Sequence, residues 1–348
     1  MIEKTKSTIA SRMRGLSTEA LAAAAEPALE PDLPIVDPHH HLWDWEGHRY
    51  LLDQILADTG TGHRIEKTVF VECSASYRAD AAPGFDVVGE VEFVRGQAAL
   101  SASGRYGPTR VAAGIVGTAD LKLGGAVEPV LIALQDAGGE RFKGIRHCAG
   151  WEDRTHGVHI SHSNPPPHLY RDHAAFREGF AVLGRLGLTF DAWCYHTQLM
   201  DLVDLARAFP DQPIVLNHVG GPLGLECYSQ ERDQVMRDWR AGISALSDCP
   251  NVCLKLGGLG MPIMGFGFEN REDAPTSDDL ATAWRPFIEP AIEMLGANRC
   301  MFESNFPVDK VSTGYATLWN AFKKLAQGAS VQEKADLFAG TATRFYRL

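Results

Sequence analysis

The chain has 348 residues, 45% hydrophobic, 22% charged and 9% aromatic, which is an ordinary globular composition. Its 33 basic and 44 acidic residues give a formal charge of −11, which argues against nucleic acid or an anionic membrane as the main partner. A small anionic substrate stays open, because a few local arginines override the mean field. No apolar run approaches the ~20 residues of a membrane span. Seven scattered cysteines without a C-x-x-C pair point to reduced thiols in a cytoplasmic protein.

In chain order, residues 1–33 predict a flexible or partly helical extension. Its alanine-rich stretch from Leu21 is broken by Glu26 and Pro27, too soon for a signal-peptide core. From 34 to 348, strand-like runs at 35–41, 67–73, 110–116, 142–147, 188–193, 214–218, 252–256 and 300–303 alternate with helical stretches at 85–101, 127–137, 170–186, 198–209, 232–246, 279–295 and 317–326. Phe176, Phe180, Leu183 and Leu186 form the stripe of a core-facing helix. Alternation of this kind predicts an α/β fold, a single (β/α)8 TIM barrel. A doubly wound sheet competes, but no G-x-G-x-x-G opens a helix and no Walker-type loop is present. The long connections at 148–169 and 257–277 read as pocket walls at the catalytic face.

The strongest local signal is IVDPHHHLWD. Side chains alternate along a strand, so Asp37, His39 and His41 share one face while His40 points away. At the C-terminal end of a barrel strand, His39 and His41 can converge on one metal ion or one substrate oxygen. His196 closes the fifth run and His218 the sixth, and on a closed barrel those ends ring one mouth.

The D-x-H-x-H of the first strand, the strand-end histidines, the segment RCMFESNFPVD and the closing GTATRFYRL together resemble the amidohydrolase superfamily. They are most similar to its amidohydrolase-related branch, which includes 2-pyrone-4,6-dicarboxylate lactonase and sugar-acid lactonases. The resemblance implies a distorted (β/α)8 barrel of the metal-dependent-hydrolase type that hydrolyses a carbonyl compound at its C-terminal mouth. Carried over, His39, His41 and His196 are polarising or metal-binding groups, and His218 fills the sixth-strand position. One departure stands out: Asn305 sits where the family has an aspartate acting as base or ligand. Glu303 lies two residues earlier on the same face, and Glu72 ends the second strand. Each is a candidate base, Glu72 also a metal ligand beside His39 and His41, and for each a structural ion pair is the alternative.

Arg146, ending the fourth strand, suits bidentate binding of a carboxylate, or an inter-strand salt bridge. Lys255 either contacts substrate or pairs with an interior acid such as Glu303 or Asp191. Trp43 is a candidate pocket wall for a flat ring. Lys143 faces away from Arg146, and with Asn305 this disfavours a two-metal site. One Zn or Mn ion, or none, is expected. The leading expectation is a hydrolase opening a lactone or similar cyclic ester of a carboxylate-bearing small molecule. A metal-dependent decarboxylase, a zinc amidase and a non-catalytic binding barrel are the alternatives. Nothing in the chain decides for or against a homo-oligomer.

Overall fold

A computed structural model describes residues 15–45, 47–153 and 165–348. Eight strands form one sheet in chain order. They are β1 Ile35–His40, β2 Ile65–Val71, β3 Arg110–Gly117, β4 Phe142–Cys148, β5 Thr189–Trp193, β6 Ile214–Leu216, β7 Val252–Leu256 and β8 Cys300–Phe302. Every neighbouring pair is parallel. The sheet curls into a nearly closed barrel whose seam forms beyond the end of β8. There His40 bridges Phe306, His41 N–H donates to Phe306 O (2.8 Å), and Asn305 N–H donates to His39 O (2.9 Å). The seam therefore runs through the residues singled out for chemistry.

Two apolar layers hold the barrel. Outside it, helices bury their stripes against the strands. Phe176, Phe180 and Leu183 of Ala174–Arg185 are fully buried, each side chain contributing roughly 1.5–3 kcal/mol. Inside it, Val36, Val69, Val71, Val116, Val215 and Met301 pack with Ala342 and Tyr346. The last two belong to the helix Thr341–Tyr346, which plugs the end of the barrel opposite the mouth.

The sixth strand stops at Leu216, short of the expected 218. His218 and Val219 take left-handed φ of 55° and 53°, and Gly220 and Gly221 follow at 75° and 58°, a path no strand can follow. Short elements missing from the pattern are the hairpin Trp43–Trp45 with His48–Tyr50 and the helix Leu52–Thr59. Within the N-terminal extension, Thr18–Ala23 is helical. Beyond it Glu26 accepts from Ser277, while Lys323 Nζ donates to the carbonyls of Leu29 and Glu30. Of the expected wall at 148–169, residues 154–164 lie outside the described residues. The second wall contains the short turns Pro262–Met264 and Phe268–Asn270. Among the described residues no helix is long and apolar enough to cross a membrane.

Candidate active site

Glu303 follows β8 and is fully buried. Its Oε1 lies 2.8 Å from His218 Nδ1 and accepts from His218 N–H (3.1 Å); its Oε2 lies 2.7 Å from His39 Nδ1. The last contact is bent, so Oε2 receives no well-directed hydrogen bond. At such separations a nitrogen and a carboxylate oxygen share a proton. The network thus assigns Nδ1–H to both imidazoles and leaves their Nε2 atoms as lone pairs. Arg146 Nη1, 3.4 Å from His39 Nε2, agrees with this tautomer. At His39 Nδ1 the Glu303 contact is shorter than the 3.3 Å contact of Lys255 Nζ, which spends two of its three protons on Asp191 (2.7 Å) and Pro38 O (2.9 Å). Burial, then Lys255, drives the His39 pKa well below its usual value, while burial lowers that of His218 against the pull of Glu303. Both rings are neutral and basic at Nε2.

The backbone is shaped for this pair. A Cβ at Gly257 would collide with Glu303, and one at Gly258 with the His218 ring. The Gly-Gly after β7 therefore makes room for the carboxylate and its imidazole. The left-handed backbone at His218 and Val219 costs energy that the buried hydrogen bonds offset.

His41 turns the other way. Its Nδ1 donates to Val71 O (2.8 Å), and its ring stacks at 5.8 Å on Trp43, which itself stacks at 4.4 Å on Trp45. Its Nε2 faces Asn305 Oδ1 at 3.3 Å. Asn305 Nδ2 donates to Asp309 Oδ1 (2.7 Å), which fixes the amide with its oxygen toward His41. Burial, then Arg146, lowers the His41 pKa well below normal, so its Nε2 is also a lone pair. Two acceptors thus face each other.

The amidohydrolase family model matches residues 36–348. The chain belongs to the amidohydrolase family. It is 33% identical over 338 residues to an uncharacterised Sinorhizobium fredii protein, y4mH, covering 91% of this chain and 99% of that one. An L-fucono-1,5-lactonase of Burkholderia ambifaria is 23% identical over 330 residues, 90% of this chain and 95% of that one. A crystal structure of a Burkholderia multivorans amidohydrolase with bound zinc superposes with a TM-score of 0.69 at 22% identity, covering 90% of this chain and 99% of that one.

Two groups expected at the mouth of this amidohydrolase barrel are committed elsewhere. Glu72, offered above as a metal ligand beside His39 and His41, is an ion-pair partner: Arg146 Nε donates to its Oε1 (2.7 Å) and Nη2 to its carbonyl (2.6 Å). The carboxylate that does meet His39 is Glu303. Among the described residues, His39, His218 and Glu303 form the one cluster of His, Cys, Asp or Glu whose ligand atoms lie within 4.8 Å of one another. Lys255 takes the interior pairing rather than a place at the surface of the mouth. It is fully buried against Asp191, whose carboxylate also accepts from Tyr346 and Asn217. That layer lies beneath His39 and supports it. His196 opens the turn His196–Gln198 after β5, where its Nδ1 accepts from Leu223 N–H (3.4 Å) and its ring meets Tyr228.

Sequence reasoning missed Asp309 and the job of Asp37. Asp37 Oδ1 accepts from the N–H groups of His39 and Ser304, and its Oδ2 accepts from Tyr315, so it stitches β1 to the β8 loop. Burial raises its pKa to about 6. Asp309, pushed up to about 8 by burial, stands one turn after Asn305. The i, i+4 spacing within FESNFPVD is the signal that could have found it.

Proposed function

We propose that this barrel opens a lactone or similar cyclic ester of a small, carboxylate-bearing molecule by attack of water on the carbonyl carbon. The observation that carries the reading is the Glu303 carboxylate seated between Nδ1 of His39 and Nδ1 of His218. A carboxylate in that position holds the tautomer and stabilises the imidazolium formed when Nε2 takes a proton. His218 is then the base that activates water, and Glu303 acts through it. Arg146, clamped by Glu72, is the fixed positive charge that meets the developing oxyanion or a substrate carboxylate. His196 is a second polarising group, and Trp43 a wall of the pocket. The lactonase named among the relatives supports the substrate class, and the seven unpaired cysteines support a cytoplasmic setting.

The mouth also fits one divalent ion, zinc or manganese. A proton holds Glu303 Oε1 to His218 Nδ1 at 2.8 Å, whereas the 2.7 Å contact of Oε2 with His39 Nδ1 is bent. Both are shorter than the roughly 3.3 Å edge of a tetrahedron with ~2.0–2.1 Å metal bonds. The two facing acceptors, His41 Nε2 and Asn305 Oδ1, are 3.3 Å apart with no proton between them. His41 and Asn305 would therefore hold the ion, with His39, whose ring lies 5.0 Å from that of His41, as a third ligand once Arg146 Nη1 gives up its 3.4 Å contact with His39 Nε2. The ion would supply Lewis acidity and a more acidic water. An amide oxygen in place of a carboxylate makes such a site weaker, and Lys143 offers no bridge to a second ion.

A panel of sugar-acid 1,5-lactones, including L-fucono-1,5-lactone, followed by acid release at constant pH, tests the reading. Ring opening is the expected result, with close to one zinc or manganese per chain by elemental mass spectrometry. CO2 release from unsaturated or aromatic acids without lactone opening would replace it with decarboxylation.

A further inference from the structure

We propose that the closed end of the barrel, opposite the catalytic mouth, carries a separate binding site for a small polyanion. A cavity of about 470 Å³ there is lined by Arg95, Arg141, Lys143 and Arg347, with Gly139 exposing bare backbone. Lys143 is the second residue of β4, and Arg347 follows the plug helix, so the site is built where that helix meets the strand ends. Four cations converge on this hollow in a chain whose formal charge is −11.

None of the four makes an ion pair with a carboxylate among the described residues. Arg95 donates to Ala137 O (2.9 Å), Lys143 Nζ to Arg347 O (3.1 Å), and Arg347 Nη2 to Gly187 O (3.1 Å). Backbone carbonyls position these groups without neutralising them; Glu140, which works against the lowering of the Lys143 pKa, and the terminal residue Leu348 also line the hollow. The like charges are felt: burial first, then Arg347, lowers the Lys143 pKa. Two backbone features maintain the hollow. Arg347 is held at a left-handed φ of 53°, and Gly139, at φ 57°, has no heavy atom within 4 Å of where a Cβ would stand. Three guanidinium forks and an ammonium around open backbone match a molecule with two or more carboxylate or phosphate groups.

Calorimetric titration of the full chain with citrate and with pyrophosphate tests the site. Arg141→Gln/Arg347→Gln is compared with the parent, because the Lys143 hydrogen bond goes to the Arg347 backbone and survives the change. Binding of either probe that weakens by about tenfold or more, with turnover unchanged and Tm lowered only by the lost Arg347–Gly187 hydrogen bond, is the expected result. Which probe binds then separates a polycarboxylate from a phosphate ligand. Should the double variant not fold, Arg141→Gln alone is read in the same way. Equal affinity in parent and variant would place the anion elsewhere and overturn the proposal. So would no binding of either probe up to about 10 mM.

Discussion

The side-chain amide of Asn305 donates to Asp309 across 2.7 Å and turns its oxygen to His41 Nε2, 3.3 Å away. An amide thus stands where the resemblance leads one to expect a carboxylate, and its orientation is governed by a carboxyl group one turn later. Asp309→Asn keeps the shape, yet it leaves either Asn305 or the Gly260 N–H, which donates to Asp309 Oδ2, facing another donor. The expected cost is about 1–3 kcal/mol of stability. Turnover should fall by about tenfold or more as the amide loses its orientation, and bound metal should fall with it. Parental kinetics and metal content in that variant would remove Asp309 from the site.

Gly258 presses against the His218 ring in a left-handed turn with φ 68°. Gly258→Ala should therefore cost about 1–3 kcal/mol by overpacking and strain. Displacement of His218 should lower kcat by about a hundredfold, since a shift of ~1 Å at a reacting group has that effect. Gly139→Ala, in open space at positive φ, is the control that carries backbone strain alone and should leave kcat unchanged.

Stability should pass through a maximum near pH 6.5. Burial holds His40 at about 3 and His147 and His63 at about 4, with His39, His41 and His218 also lowered. These groups contribute fully above the unfolded value of ~6.5 and lose their contribution as pH falls toward the folded values, because the unfolded chain takes up the protons. Asp309 and Glu90, both raised to about 8 by burial, work in the opposite sense. Their contribution is complete near pH 4 and is lost as pH rises to about 8. Tm measured from pH 5 to 9 should fall on both sides of the maximum, more steeply on the acid side. A Tm that rose on acidification below pH 6 would contradict the neutral buried histidines.

The barrel was legible because strand runs and helical stripes alternate from 35 to 326, and because parity along a strand tells which side chains share a face. Parity placed Glu303 and Asn305 together at the end of β8, and His39 with His41 at the end of β1. It could not say which layer each side chain occupies, since depth is decided by partners on other strands. Lys255 sinks because Asp191 and Pro38 O receive its protons, and Glu72 is engaged because Arg146 reaches across to it. Nor does residue type reveal that His218 stands in a left-handed turn, although the following Gly-Gly hinted at one. The hairpin at Trp43–Trp45 is too short for any periodicity to show.

Initial rates for Glu303→Gln bear most directly on the Glu303-held imidazoles, with lactone opening followed in a pH-stat and the fold checked by Tm. An amide in that place loses the negative charge and turns a donor toward one of the two Nδ1–H groups. The expected result is a loss of about a thousandfold or more in kcat with a largely retained Tm. A kcat within about twofold of the parent would contradict the central role given to Glu303.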